Sequence, residues 1–261
     1  MSLSSVTENV PAVLSILPTV LNLVLIVTVI VCAWQGFKKG VIMGMIGVLV
    51  IILSLYGAQL LSDTFSYEVI PVLKPFVSGY VEGSVEKAVF SAYGFEPDIN
   101  GDYHVSRSVN DLLAEQPETR YAVSRSVYQS LGIYSDVADD MAEKTVAFAD
   151  QNNAGLVSSV VTVLCQSITW YGGFLLGFIL VFAALTVVVN ILNISFEIPY
   201  IGLLNHLGGL AVGVFSGLLL CAVIVWAIQF TGLIMPESVM GETGVVGWLL
   251  DQRMLADIIT F

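Results

Sequence analysis

A chain of 261 residues that is 56% hydrophobic and 11% charged, with mean hydropathy +0.87, excludes a soluble globular domain, whose water-facing surface brings charged residues to about 25%. The net charge of −12 argues against nucleic-acid binding, which needs a clustered basic patch, and no polybasic stretch is present to hold anionic lipid. Fifteen of the 21 acids and six of the nine bases fall between Asp63 and Asp150, so the rest of the chain is nearly free of charge, which is a membrane pattern.

In chain order, residues 1–16 form a short lead. No basic residue precedes the first apolar run, and Glu8, Pro11 and Pro18 interrupt it, so the run is expected to be a retained helix rather than a cleaved signal peptide. Leu17–Gln35 is uncharged and stops at Gly36-Phe37-Lys38-Lys39-Gly40. Val41–Ser62 is again uncharged, about 33 Å of helix, enough to cross a bilayer core. Residues 17–62 are therefore expected to form a transmembrane hairpin whose short connection makes the two helices antiparallel neighbours.

Residues 63–150 are acidic and carry Pro71, Pro75, Pro97 and Pro117, too polar a composition to span. Apolar residues still recur at three- and four-residue steps, from Leu73 to Ala92 and from Val123 to Phe148, which predicts two amphipathic helical stretches joined by a loop at Glu96–Gly101. Their apolar faces are expected to rest on the membrane surface or on each other. In 151–233 a second hairpin is expected, with spans at Tyr171–Ile191 and Leu203–Thr231. The more polar Leu156–Thr169 either extends the first of these or lies in the interface. Residues 234–261 read as an amphipathic tail lying in the interface or docking on the protein. The fold class is thus an all-α membrane protein with four transmembrane helices.

Lys38 and Lys39 occupy the one short basic loop, which places that turn in the cytoplasm and the N-terminus, the long acidic segment and the C-terminus outside. Glycines at four-residue steps, with one step of three, form three stripes: Gly36, Gly40, Gly44 and Gly47; Gly173 and Gly177; Gly209, Gly213 and Gly217. Such stripes let helix backbones approach closely where lipid offers no hydrophobic drive. Polar residues in apolar spans mark candidate paths for solutes or protons. Here they are Asn22, Asn190, Asn193, Glu197, Asn205 and His206, with helix capping as the plainer role. Asn190, Asn193 and Glu197 share one helix face by their spacing, with Glu197 as the fixed charge of that face.

No catalytic constellation, phosphate-binding loop or metal-ligand spacing is visible. The chain is expected to be neither an enzyme nor dependent on a cofactor or metal. Cys32, Cys165 and Cys221 all lie in apolar runs and read as small buried hydrophobes.

On these residues the chain resembles the colicin V production protein family of bacterial inner-membrane proteins. The resemblance lies in Gly36-Phe37-Lys38-Lys39-Gly40 and in Asn205-His206-Leu207-Gly208-Gly209 followed by Gly213 and Gly217. It covers roughly 17–62 and 156–231, with the acidic segment and the tail as additions. Asn22 stands where the family usually has an acid and His206 where it usually has arginine. The resemblance implies a four-helix membrane protein associated with toxin production or secretion. Two expectations follow: an oligomeric channel or transport component of the inner membrane, or a non-transporting scaffold that recruits envelope or secretion proteins. Membrane lipid and further copies of the chain are the expected partners.

Overall fold

A computed structural model describes residues 3–98, 103, 105, 108–115, 117–192 and 202–230. The regular structure of these residues is entirely helical: α1 Leu3–Ala92, α2 Val109–Glu115, α3 Thr119–Ser130, α4 Ser135–Asn152, α5 Leu156–Leu192 and α6 Gly202–Ile228. The tail, Asn193 and Glu197 lie outside the described residues. Three segments are long and apolar enough to cross a membrane: Leu17–Ser66, Leu156–Ile191 and Leu203–Ile228. By contacts the chain forms two compact units. Among the described residues the first takes 3–61 and 174–229, and the second 62–173 and Phe230.

In the first unit the 50-residue apolar segment of α1 would measure about 75 Å if straight, more than twice a bilayer core of about 30 Å. It is not straight. Gly40 has φ 81° and ψ 175°, a conformation open in practice only to glycine. Packing against α6 changes direction there. Before the break Val29 meets Gly217, Ala33 meets Gly213 and Gly36 meets Gly209; after it Val41 meets Gly208 and Gly44 meets Val212. The arm before Gly40 therefore runs antiparallel to α6 and the arm after it runs parallel. The sequence places the end of the first helix at Gln35, but helix continues through Gly36–Lys39 and breaks at Gly40 alone. Against α5 the second arm is antiparallel, with Gly57 on Val181 and Ala58 on Gly177. Phe174 and Trp226 meet edge to face at 5.0 Å between α5 and α6. The large apolar side chains left uncovered, such as Leu23, Ile30, Leu49, Ile52, Leu176, Ile179 and Leu180, form the surface that lipid covers in a membrane protein.

The second unit corrects the reading of the acidic segment. The boundary between the units falls at 61/62, beside the one expected at Asp63, but no loop marks it: α1 runs on as helix through Pro71 and Pro75 to Ala92. The stretch expected over Val123–Phe148 is two helices, because Gly132 turns left-handed at φ 82° and Ile133 N–H reaches back to Tyr128 O at 3.1 Å, closing α3 in the manner of a Schellman motif. α4 ends on Asn153 at φ 50°, whose N–H bonds Ala149 O. Val81, Val85 and Val89 of α1, Val127 and Tyr128 of α3, Met141 of α4 and Val160 of α5 are fully enclosed, so these faces rest on one another. The front half of the expected α1 stripe is not part of this core: Phe76 is 80% and Tyr80 65% exposed. Each enclosed side chain contributes about 1.5–3 kcal/mol, against at most about 1 kcal/mol for an exposed pair such as Arg120–Asp150. The core, not the charges, holds this unit together. Tyr128 Oη sits 2.5 Å from Thr145 Oγ1, and burial pushes its phenol far above the usual tyrosine range, so it stays neutral. Leu156–Thr169 extends α5 without a break, and its buried Val160, Val161 and Leu164 belong to this unit's core.

Candidate functional site

The break at Gly40 separates two groups that a continuous helix would pair, Phe37 C=O and Val41 N–H. Both are satisfied by consecutive residues of α6. Val41 N–H donates to Asn205 Oδ1 at 2.9 Å. His206 Nδ1 lies 2.6 Å from Phe37 O, and because a carbonyl only accepts, Nδ1 carries the proton. The His206 ring also lies 5.3 Å from the Phe37 ring. Asn205 and His206 thus act as the two halves of one missing backbone bond, which matters most where water is scarce. This supports the capping role for them over a place in a polar path. Asn205→Leu is expected to leave Val41 N–H without a partner at a cost of about 1–3 kcal/mol, read as a lower melting temperature in detergent. An unchanged melting temperature would show that the bond is dispensable.

Eight of the nine glycines in the three stripes lie against another part of the same chain. A Cβ added at Gly217 would stand 2.8 Å from Val29 Cα, at Gly213 3.0 Å from Ala33 Cα, and at Gly209 2.9 Å from Gly40 Cα. At Gly36 it would stand 2.9 Å from Gly213 Cα, and at Gly44 3.2 Å from Val212 Cγ1. Gly40 faces the Asn205 amide. Gly177 packs on Ala58 and Gly173 on Ser62, at 3.2 Å and 3.3 Å to their Cα atoms. Gly47 is different, with nothing within 4 Å of its Cβ position.

Gly47 instead opens onto a cavity of about 150 Å³ within the first unit, room for roughly five waters at 30 Å³ each. Gln35 and Lys39 line it from α1, Thr186 and Asn190 from α5, and Ser216 from α6. Val50, Ile51, Phe182 and Leu220 are apolar parts of the lining. The two lysines of the turn diverge. Lys38 Nζ sits over the Trp34 ring, 5.1 Å from its centroid, while Lys39 belongs to the cavity. Of the polar residues singled out in the sequence that are among the described residues, Asn190 reaches it; Asn22 is half-buried and lines no part of it. The fixed charge beside Asn190, among the described residues, is Lys39 and not a carboxylate. Thr186 and Ser216 were not singled out, although Thr186 precedes Asn190 by one helical turn and so shares its face. Among the described residues no group of three His, Cys, Asp or Glu could hold a metal ion.

Residues 134–253 match the family model described as colicin V production protein. The match spans 120 of the 261 residues and supports the resemblance to the colicin V production protein family. No curated protein and no solved structure matches it significantly. The matched residues take in α4, α5 and α6, so the acidic segment is not wholly an addition and the tail is included in part up to residue 253. The first apolar segment, which carried half of the resemblance, lies outside the match. Family and apolar helices together make this a membrane protein.

Proposed function

We propose that this colicin V production-type protein sits in the bacterial inner membrane as an oligomeric transport component, its chain crossing four times in two hairpins. The reversal of packing at Gly40 supports the first hairpin, since a helix that turns back along α6 has covered the bilayer twice. The observation that carries the transport reading is the cavity, because polar residues inside an apolar helical unit are costly unless used. One copy is too narrow to enclose a wide pore, so several copies supply the path. The protein acts without a catalytic step, cofactor or metal. A scaffold role for envelope or secretion proteins is the second reading, and the core of 62–173 favours it by giving the acidic segment a fixed surface.

Reconstituted protein should pass ions or small solutes under a gradient, and Glu197→Gln should lower the flux or shift its selectivity with oligomer size unchanged. Vesicles that stay tight at several protein densities would sink transport and leave the scaffold. The Lys38-Lys39 turn belongs in the cytoplasm with the acidic segment outside. In a chain lacking its native cysteines, Lys38→Cys should react only with membrane-permeant thiol reagents and Asp98→Cys with impermeant ones. The opposite labelling pattern would overturn this topology.

A further inference from the structure

The cavity beside Gly47 is donor-rich. Lys39 brings an ammonium, Gln35 and Asn190 bring amides, and Thr186 brings a hydroxyl, with no carboxylate in the lining. The lining thus carries a net positive charge. Ser216 is the exception, since its hydroxyl donates to Val212 O at 3.0 Å. A space with one cation, several neutral donors and no anion is complementary to an oxyanion, whose charge-assisted hydrogen bonds are stronger than neutral ones. Val50, Ile51, Phe182 and Leu220 add apolar lining, which suits a ligand with a charged head and an apolar body. The cavity also lies at the basic turn of α1, and basic pockets between membrane helices take lipid head groups.

We propose that this cavity is a binding site for a phosphate- or carboxylate-type oxyanion held by Lys39, with Gln35 and Asn190 as hydrogen-bond donors. The site needs the cavity alone and not the transport reading: tight vesicles would end the one, while binding decides the other. The oxyanion can come from a phospholipid head group or from a free anion, and the two sources separate experimentally. Purified full-length protein in a neutral detergent is titrated with inorganic phosphate in one arm and with phosphatidylglycerol in the other, and binding is read by native mass spectrometry and by the rise in melting temperature.

Binding in at least one arm is expected, weakened about tenfold in Lys39→Gln and kept in Lys38→Gln, which removes the same charge one residue away but outside the cavity. Asn190→Leu should weaken binding as well, and the unliganded melting temperatures of these variants serve as the folding check. Phosphate binding without lipid assigns the site to a free anion, and binding of phosphatidylglycerol alone assigns it to a lipid. Absence of binding in both arms, or equal loss in Lys38→Gln and Lys39→Gln, would overturn the proposal, since the second result means diffuse surface charge.

Discussion

Gly40→Ala should lower the stability of the membrane unit by about 3 kcal/mol or more. Two costs act together at this position. The backbone holds φ 81° and ψ 175°, where a residue with a Cβ pays about 1–3 kcal/mol. The new methyl would also stand 2.8 Å from Asn205 Oδ1 and 2.9 Å from its Cγ, so the amide that accepts from Val41 N–H must move. The expected result is a large drop in melting temperature in detergent. Because the methyl already displaces the amide, adding Asn205→Ala to Gly40→Ala should cost less than Asn205→Ala alone, a coupling that a double-mutant cycle reads directly. Strictly additive losses would mean that the glycine and the asparagine act independently.

How much of this was legible in the sequence depends on which force fixed each part. The apolar runs and the glycine spacing are local patterns, so the apolar segments and the eight contact glycines could be read from residue types alone. Gly40 as the site of the break could not be separated from Gly36, because the two look alike until the backbone shows which one leaves the helix. The acidic segment misled for a related reason. Pro71 and Pro75 argue against a continuing helix, yet α1 carries both. Its alternation of charge and valine gave the periodicity of an amphipathic helix without saying what lay opposite, and only the tertiary structure shows Val81, Val85 and Val89 enclosed with Met141 and Val160 rather than facing lipid. Asn205 and His206 were visible as polar residues opening a helix. Their partners, 164 and 169 residues away in sequence, could not be read from it. Lys39 shows the same limit. As one of two adjacent lysines it set the topology, but adjacent residues on a helix point about 100° apart, and that rotation sends one to Trp34 and the other to the cavity.

Gly213→Leu tests the glycine stripe of α6 at its middle contact. A side chain at residue 213 must displace the backbone of the first α1 arm, since the Cβ alone would press on Cys32 O and stand 3.0 Å from Ala33 Cα. Neither is the end of a flexible side chain that can swing aside. Overpacking in a close-packed interior costs about 1–3 kcal/mol when neighbours can shift, and here the neighbour is a helix backbone that also meets Gly217 and Gly209, so the expected loss lies at or above the top of that range. In a membrane the two helices have no hydrophobic drive to hold them together once contact is lost, so the arm should separate from α6 rather than repack on it. The measured result should be a fall in melting temperature together with a broadened profile on size-exclusion chromatography, with Gly213→Ala intermediate. Gly47→Ala is the matched control: it comes from the glycine stripe of α1, its Cβ position meets nothing within 4 Å, and alanine is the better helix former by about 1 kcal/mol, so its melting temperature should hold or rise slightly. If Gly213→Leu and Gly47→Ala behaved alike, the close approach of α1 and α6 would not be what stabilises the unit, and the apolar contacts around Leu25 and Cys221 would have to carry it instead.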